Sequence, residues 1–158
     1  MKHTITITVN GIAYEVEVEP HRSLLSVIRG EIGLTGAKEG CDDSECGACM
    51  VLLDGAPVNS CSYLAVQADR RSVTTVEGLS QGELLHQLQE EILAHGGVQC
   101  GFCTPGMLIS AKALLDRNPH PGEHDVRIAL SGNLCRCTGY TGIVQAVVSA
   151  AGRIDAGS

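Results

Sequence analysis

Eight cysteines in two sets of four limit what this chain can fold into. Cys41, Cys46 and Cys49 share one short loop, GCDDSECGAC, and Cys61 follows twelve residues later. Cys100 and Cys103 form a C-x2-C pair, and Cys135 and Cys137 a C-x-C pair. Inert buried cysteines do not cluster so, and thiols grouped at these spacings read as metal ligands. Eight in 158 residues is below the density of a disulfide scaffold. The first residues, MKHTITITVNG, alternate polar and apolar and lack the apolar run of a signal peptide. Free cysteines grouped by motif, without that signal, point to a reducing cytoplasm. Export in the folded state alongside a partner is the route left open. No stretch approaches the length of a membrane span. The net charge of −7 argues against a nucleic-acid partner.

The first set is the more informative. C-x4-C-x2-C followed by a distant cysteine is the spacing of plant-type [2Fe-2S] ferredoxins. A four-thiolate zinc site usually shows two short pairs, whereas one loop here supplies three ligands. Gly40 and Gly47 let backbone amides approach the sulfurs with no Cβ in the way. The second set is less diagnostic, and zinc stays open there on ligand type alone. Both of its pairs precede expected helices, whose free amides and positive dipole ends favour thiolate charge. If those two helix starts meet, the four sulfurs share one site. The six histidines are dispersed and none pairs with a cysteine, which argues against a Rieske centre.

Along the chain, Ile5, Ile7 and Val9 alternate, Asn10-Gly11 follows, and Ile12, Tyr14, Val16 and Val18 alternate again. Two such runs around Asn-Gly predict a hairpin. Ser23 is an expected N-cap, with Leu24, Leu25, Ile28 and Ile32 on one helical face. Further strands are expected at Met50–Leu53 and Ser72–Val76, with Asp54-Gly55 as a tight turn. Residues 1–76 therefore read as one α+β domain with the cysteine loop at its edge. EGLSQG at 77–82 reads as a linker. Beyond it the strand signal ends. Leu84, Leu85, Leu88, Ile92 and Leu93 fall at helical spacing. Thr104-Pro105 matches an N-cap with proline at the first helical position. Met107, Leu108, Ala111, Leu114 and Leu115 form its apolar face, and Asn118-Pro119 stops it. Short helices around Asp125–Leu130 and from about Gly142 to Ala151 complete a four-helix bundle over residues 77–158. Aromatic residues are only 3% of the chain, so both cores must be built from aliphatic side chains.

GCDDSECGAC at 40–49, QCGFCTPG at 99–106 and SGNLCRCTGY at 131–140, in this order, closely resemble the iron–sulfur subunits of the xanthine oxidase family, the molybdenum hydroxylases. The resemblance covers nearly the whole chain. It implies a ferredoxin-like β-grasp domain followed by an all-α four-helix domain, each carrying one [2Fe-2S] cluster. By the same resemblance Cys41, Cys46, Cys49 and Cys61 match the cluster nearer the flavin. Cys100, Cys103, Cys135 and Cys137 match the cluster nearer the molybdenum. Gln99 matches the residue that hydrogen-bonds the molybdopterin cofactor, and Cys137 the ligand lying closest to the pterin. The implied partners are a large subunit binding molybdopterin, in its dinucleotide form, and a medium subunit binding FAD, assembled as a dimer of heterotrimers. Met50 departs from the threonine expected after the first motif, and Ala37 from a threonine or similar polar residue before it, which touches the tuning of that cluster rather than its presence. Arg136 reads either as a charge partner or as a solvated side chain, and Phe102 and Tyr140 as packing residues rather than electron relays.

The expected function is thus electron transfer without bond chemistry on substrate. A free-standing ferredoxin-type shuttle fits the first half but gives the half containing Gln99 no purpose. A zinc-stabilised interaction module is the third reading. Members of the family act on carbon monoxide, aldehydes, purines, N-heteroaromatics or aromatic acyl-CoA esters, with selectivity in the molybdenum subunit. Overall similarity favours an N-heteroaromatic.

Overall fold

The structure, a computed structural model, describes residues 1–80 and 86–156. Leu84, Leu85 and the end of the expected linker lie outside the described residues. Asn10 and Gly11 take φ of 50° and 82°, the left-handed pair that a two-residue hairpin turn requires. On either side of them β1 (His3–Val9) and β2 (Ile12–Val18) pair antiparallel, with Val9 opposite Ile12 and His3 opposite Val18. Asp54 and Gly55 repeat the device at φ 49° and 82°. They join β3 (Met50–Leu53) to β4 (Ala56–Asn59). No strand signal marked β4, because it is four residues long and contains Pro57. It lies at the sheet edge, where a missing N–H is tolerated.

Strand β5 (Ser72–Thr74) runs parallel to β1 and antiparallel to β3, giving the order β2-β1-β5-β3-β4. It ends two residues before the expected Val76. There the Thr75 N–H donates to Asn10 Oδ1 at 2.9 Å, and Asn10 Nδ2 donates to Thr75 Oγ1 at 2.9 Å. These bonds replace the ladder, and the chain turns into one 3₁₀ turn at Val76–Gly78. Helix α1 (Leu24–Gly30) is capped as expected, Ser23 Oγ accepting from the Ser26 N–H at 3.2 Å. It buries Leu24, Leu25, Val27 and Ile28 against Ile5, Ile7, Val9, Val51, Leu53 and Val73. Full burial of such a side chain contributes about 1.5–3 kcal/mol. Ile32 lies beyond the helix end but packs on the same core.

The rest of the described chain is helical: α2 (Gln87–Ala94), α3 (Thr104–Arg117), α4 (Glu123–Ala129) and α5 (Thr141–Ala156). His86 caps α2, its Nδ1 accepting from the Leu88 N–H while Gln89 Oε1 accepts from the His86 N–H. Leu88 and Ile92 are buried, but Leu93 is 59% exposed, on the outer side of the stripe. The expected start of α3 is corrected by one residue. Cys103 is the N-cap, Thr104 opens the helix, and its hydroxyl is buried without a partner. The apolar face of α3 is buried as its spacing predicts, and so are Ile109 and Ala113. The excess burial follows from its position, wedged among α2, α4 and β3. Arg153 of α5 reaches α2, with Nη1 2.7 Å from Glu91 and Nη2 3.0 Å from Glu90. That guanidinium, with the Ser149 hydroxyl, holds the Glu91 carboxyl below the usual carboxylate range.

Each half has its own apolar core, but the border between them is packed. Leu52 of β3 belongs to the helical core, and Met50 and Val76 pack against it. Met50 thus has a packing role where the family motif suggests threonine. No helix among the described residues is long and apolar enough to cross a membrane.

Candidate metal centres

All eight cysteines are free thiols. Cys41, Cys46 and Cys49 ride on the loop between α1 and β3, and Cys61 lies just past β4. Asp42 and Ser44 adopt left-handed φ of 70° and 67°, which coils the loop on itself. Within it the Cys46 N–H donates to Cys41 Sγ at 3.4 Å. The thiols face one another: Cys46 lies against Cys41 and within electrostatic reach of Cys61, and Cys49 lies against Cys61. Gly40 serves the sulfurs as expected, since a Cβ there would lie 2.8 Å from Cys46 Sγ. Gly47 serves something else. Its φ is +72°, and a Cβ would lie 2.4 Å from the Gly132 carbonyl, across the border in the helical half.

Burial pushes the Cys49 thiol up to about 11 and raises Cys46 as well. Cys41 is lowered: its side-chain contact with Asp43 acts to raise it, but the backbone N–H groups of Asp43 and Cys46 outweigh that. Ser60 Oγ donates to the Cys49 carbonyl at 2.6 Å, and Asn59 Nδ2 donates to the Ser44 carbonyl at 3.2 Å. Both side chains brace the loop, and neither stood out in the sequence.

Cys100 and Cys103 sit at the start of α3, and Cys135 and Cys137 in the turn before α5. The two pairs do meet: Cys103 lies against Cys135 and near Cys100, and Cys137 lies against Cys100 and near Cys135. They line a cleft of about 330 Å³ together with Phe102, Leu134, Arg136 and Tyr140. Burial pushes the Cys103 thiol up to about 12. At Cys135 burial also acts to raise the thiol, but the Thr138 hydroxyl and amide and the Cys137 amide bring it down. Thr138 Oγ1 is 3.0 Å from Cys135 Sγ, and the Thr138 N–H donates to the same sulfur at 3.4 Å. The Tyr140 hydroxyl accepts from the Cys135 N–H at 2.8 Å. Tyr140 therefore fixes a candidate ligand directly, beyond the packing role its sequence context suggests. Gln99, Arg136 and Cys137 are exposed, and the Gln99 side chain makes no hydrogen bond within the described chain.

The donor set can be tested against a two-iron group. A metal ligand must be a thiolate, and binding to a cationic metal supplies the gain that deprotonates a thiol. At each site the four sulfurs are gathered within reach of one another. Each set of four cysteines matches the four-thiolate requirement of such a group. The residues present fit.

The two centres are stitched together. The Leu134 N–H, next to Cys135, donates to the carbonyl of Cys46 at 2.9 Å. Asn133, 2% exposed, donates from Nδ2 to the Gly47 carbonyl at 3.2 Å and accepts at Oδ1 from Ser110 Oγ at 2.7 Å. Gly106 lets α3 close on that point, since a Cβ there would lie 2.1 Å from the Gly47 carbonyl. The Phe102 ring also reaches across the border to Gly40, where a Cβ would lie 3.2 Å from it.

Known proteins share both halves of this arrangement. Residues 7–80 match the 2Fe-2S iron-sulfur cluster binding domain, and residues 75–148 match the [2Fe-2S] binding domain. The nicotinate dehydrogenase small FeS subunit of Eubacterium barkeri is 49% identical, over 92% of this chain and 93% of that one. The nicotine 6-hydroxylase small subunit of Paenarthrobacter nicotinovorans is 51% identical, over 95% and 90%. A chain of quinoline 2-oxidoreductase from Pseudomonas putida 86 superposes with a TM-score of 0.94 at 47% identity, covering 99% of this chain and 98% of that one. With a β-grasp half, a four-helix half and a cysteine set in each, the chain belongs to the small iron–sulfur subunits of the xanthine oxidase, or molybdenum hydroxylase, family.

Proposed function

We propose that the chain is the electron-transfer subunit of a molybdenum-containing hydroxylase, relaying electrons singly from a molybdopterin centre to a flavin subunit. The observation that carries this reading is the grouping of eight free thiols, four in each half, on loops joined by direct hydrogen bonds. In it Cys41, Cys46, Cys49 and Cys61 hold one [2Fe-2S] cluster, and Cys100, Cys103, Cys135 and Cys137 the other. Such clusters supply one-electron carriage at potentials set by hydrogen bonding, burial and nearby charge. Residues 1–76 form the first cluster domain and 77–158 the second, a division supported by the two apolar cores. Thr138 directs a hydroxyl and an amide at Cys135 and so offsets thiolate charge there. The cleft around Cys100 and Cys137, flanked by exposed Phe102 and Leu134, gives the partner holding molybdopterin dinucleotide a surface to cover. An FAD-binding medium subunit receives the electrons, in a cytoplasmic dimer of heterotrimers. The relatives named for nicotinate, nicotine and quinoline favour an N-heteroaromatic substrate, bound in the partner.

Iron analysis with electron paramagnetic resonance tests the reading. The reduced protein is expected to hold about four irons and four acid-labile sulfides and to show two rhombic signals. One signal with half the iron, together with stoichiometric zinc, overturns it.

Gln99 carries a second expectation. Its amide both donates and accepts, and it is exposed beside Cys100 rather than satisfied within the bundle. Gln99→Ala should leave both cluster signals intact and slow reduction of the clusters by substrate about several-fold to tenfold, the effect of one interfacial hydrogen bond. Gln87→Ala on α2 is the control. Its Oε1 is buried without a partner, so that change should leave the rate unaltered. Rapid mixing followed at the cluster absorbance reads the difference, and a wild-type rate with full cofactor excludes the role.

A further inference from the structure

Asn133 is a buried amide whose two ends are both used across the border between the halves. Nδ2 donates to the carbonyl of Gly47, in the loop holding Cys46 and Cys49, and Oδ1 accepts from Ser110 in the middle of α3. The backbone on its C-terminal side makes the Leu134–Cys46 bond, and Cys135 follows at once. A side chain that served only its own turn would not need partners 86 and 23 residues away. The glycines agree. A Cβ on Gly47 would meet Asn133 Nδ2 at 2.6 Å, and a Cβ on Gly106 would meet it at 3.1 Å. Three segments have been brought to contact distance around this one amide.

We propose that Asn133 is the positioning residue that fixes the separation of the two cluster loops, and with it the coupling between the clusters. This rests on the two-cluster reading above. A distance between electron carriers must be held within narrow limits, and rotatable surface contacts cannot hold it. A buried amide fixed at both ends can, because either bond left unmade strands a polar group away from water. Ser110 locks the amide orientation: its hydroxyl donates to Oδ1, which leaves Nδ2 for Gly47. The residue beside the ligand, Leu134, is 58% exposed, so its side chain is not anchored in either core.

Two readouts on the intact holoprotein test this. The first is hydrogen exchange at the Leu134 amide, resolved by fragmentation mass spectrometry. In Asn133→Ala it is expected to quicken roughly tenfold to a hundredfold, the range for one lost buried hydrogen bond. Exchange at the Asn118 amide, bonded to Leu114 at the far end of α3, should not change. The second readout is the magnetic interaction between the two reduced clusters, which should weaken and spread while the iron content stays at the wild-type value. Ser110→Ala removes one bond and keeps the amide, so it should give the same changes in smaller measure. Wild-type exchange and wild-type spin coupling in Asn133→Ala overturn the proposal. If Asn133→Ala fails to hold iron, Ser110→Ala decides: unchanged exchange and coupling there overturn it equally. A wild-type protein with zinc or half the iron defeats the two-cluster reading instead, and the exchange result then still reports on the stitch.

Discussion

Cys49→Ser and Cys103→Ser are expected each to lower the iron content to about half and to remove a different one of the two rhombic signals. A serine hydroxyl does not ionise in the range where a metal-bound thiolate forms, so one lost ligand opens its whole site. The structure gives a reason for the losses to stay separate. Cys49 is buried within the core of the sheet half, whereas Cys103 packs against the helical core and caps α3. Because a bound metal group contributes folding free energy, each change should lower the urea midpoint mainly of its own half. Cys103→Ser should therefore reduce helical signal first, and Cys49→Ser strand signal. Iron analysis, electron paramagnetic resonance and circular dichroism under urea read all three. A single change that abolishes both signals in a folded protein would show that the partition is wrong.

Gly106→Ala is expected to destabilise the protein by about 1–3 kcal/mol, although alanine is ordinarily the better helix residue by roughly 1 kcal/mol. The clash decides the sign. The new Cβ would lie 2.1 Å from the Gly47 carbonyl and 3.0 Å from its carbon, and both are backbone atoms in a loop already fixed by candidate ligands. Neither can move aside without pulling the first cysteine loop away from α3. The matched control is Gly152→Ala in α5, where a Cβ meets nothing within 4 Å. That change should stabilise by about 0.5–1 kcal/mol. Urea midpoints compare the two. If Gly106→Ala is as stable as the wild type, α3 and the loop are not in the contact described.

Some of this protein was legible before any coordinates, and the reason is that it is written in local spacing. The Asn10-Gly11 hairpin follows from two residues that tolerate positive φ between two alternating runs. Ser23 capping α1, and the buried stripe from Met107 to Leu115, follow from positions one turn apart. The two cysteine sets are of the same kind, since a ligand loop must present its thiols at fixed intervals. The misses have the opposite character. Strand β4 is only four residues long and holds Pro57, so it shows no period, and only pairing with β3 makes it a strand. Cys103, not Thr104, holds the cap position, a shift of one residue that local spacing does not resolve. Gly47 is glycine for the sake of Gly132 and Asn133, residues more than eighty positions away. Asn133 itself carries no pattern, being one polar residue in SGNLCRC, and only burial between three segments gives it a role. Periodicity and ligand spacing belong to neighbours in the chain and were determined by the sequence alone. The joining of the two centres is a contact between distant segments, and only the packing of the tertiary structure decided it.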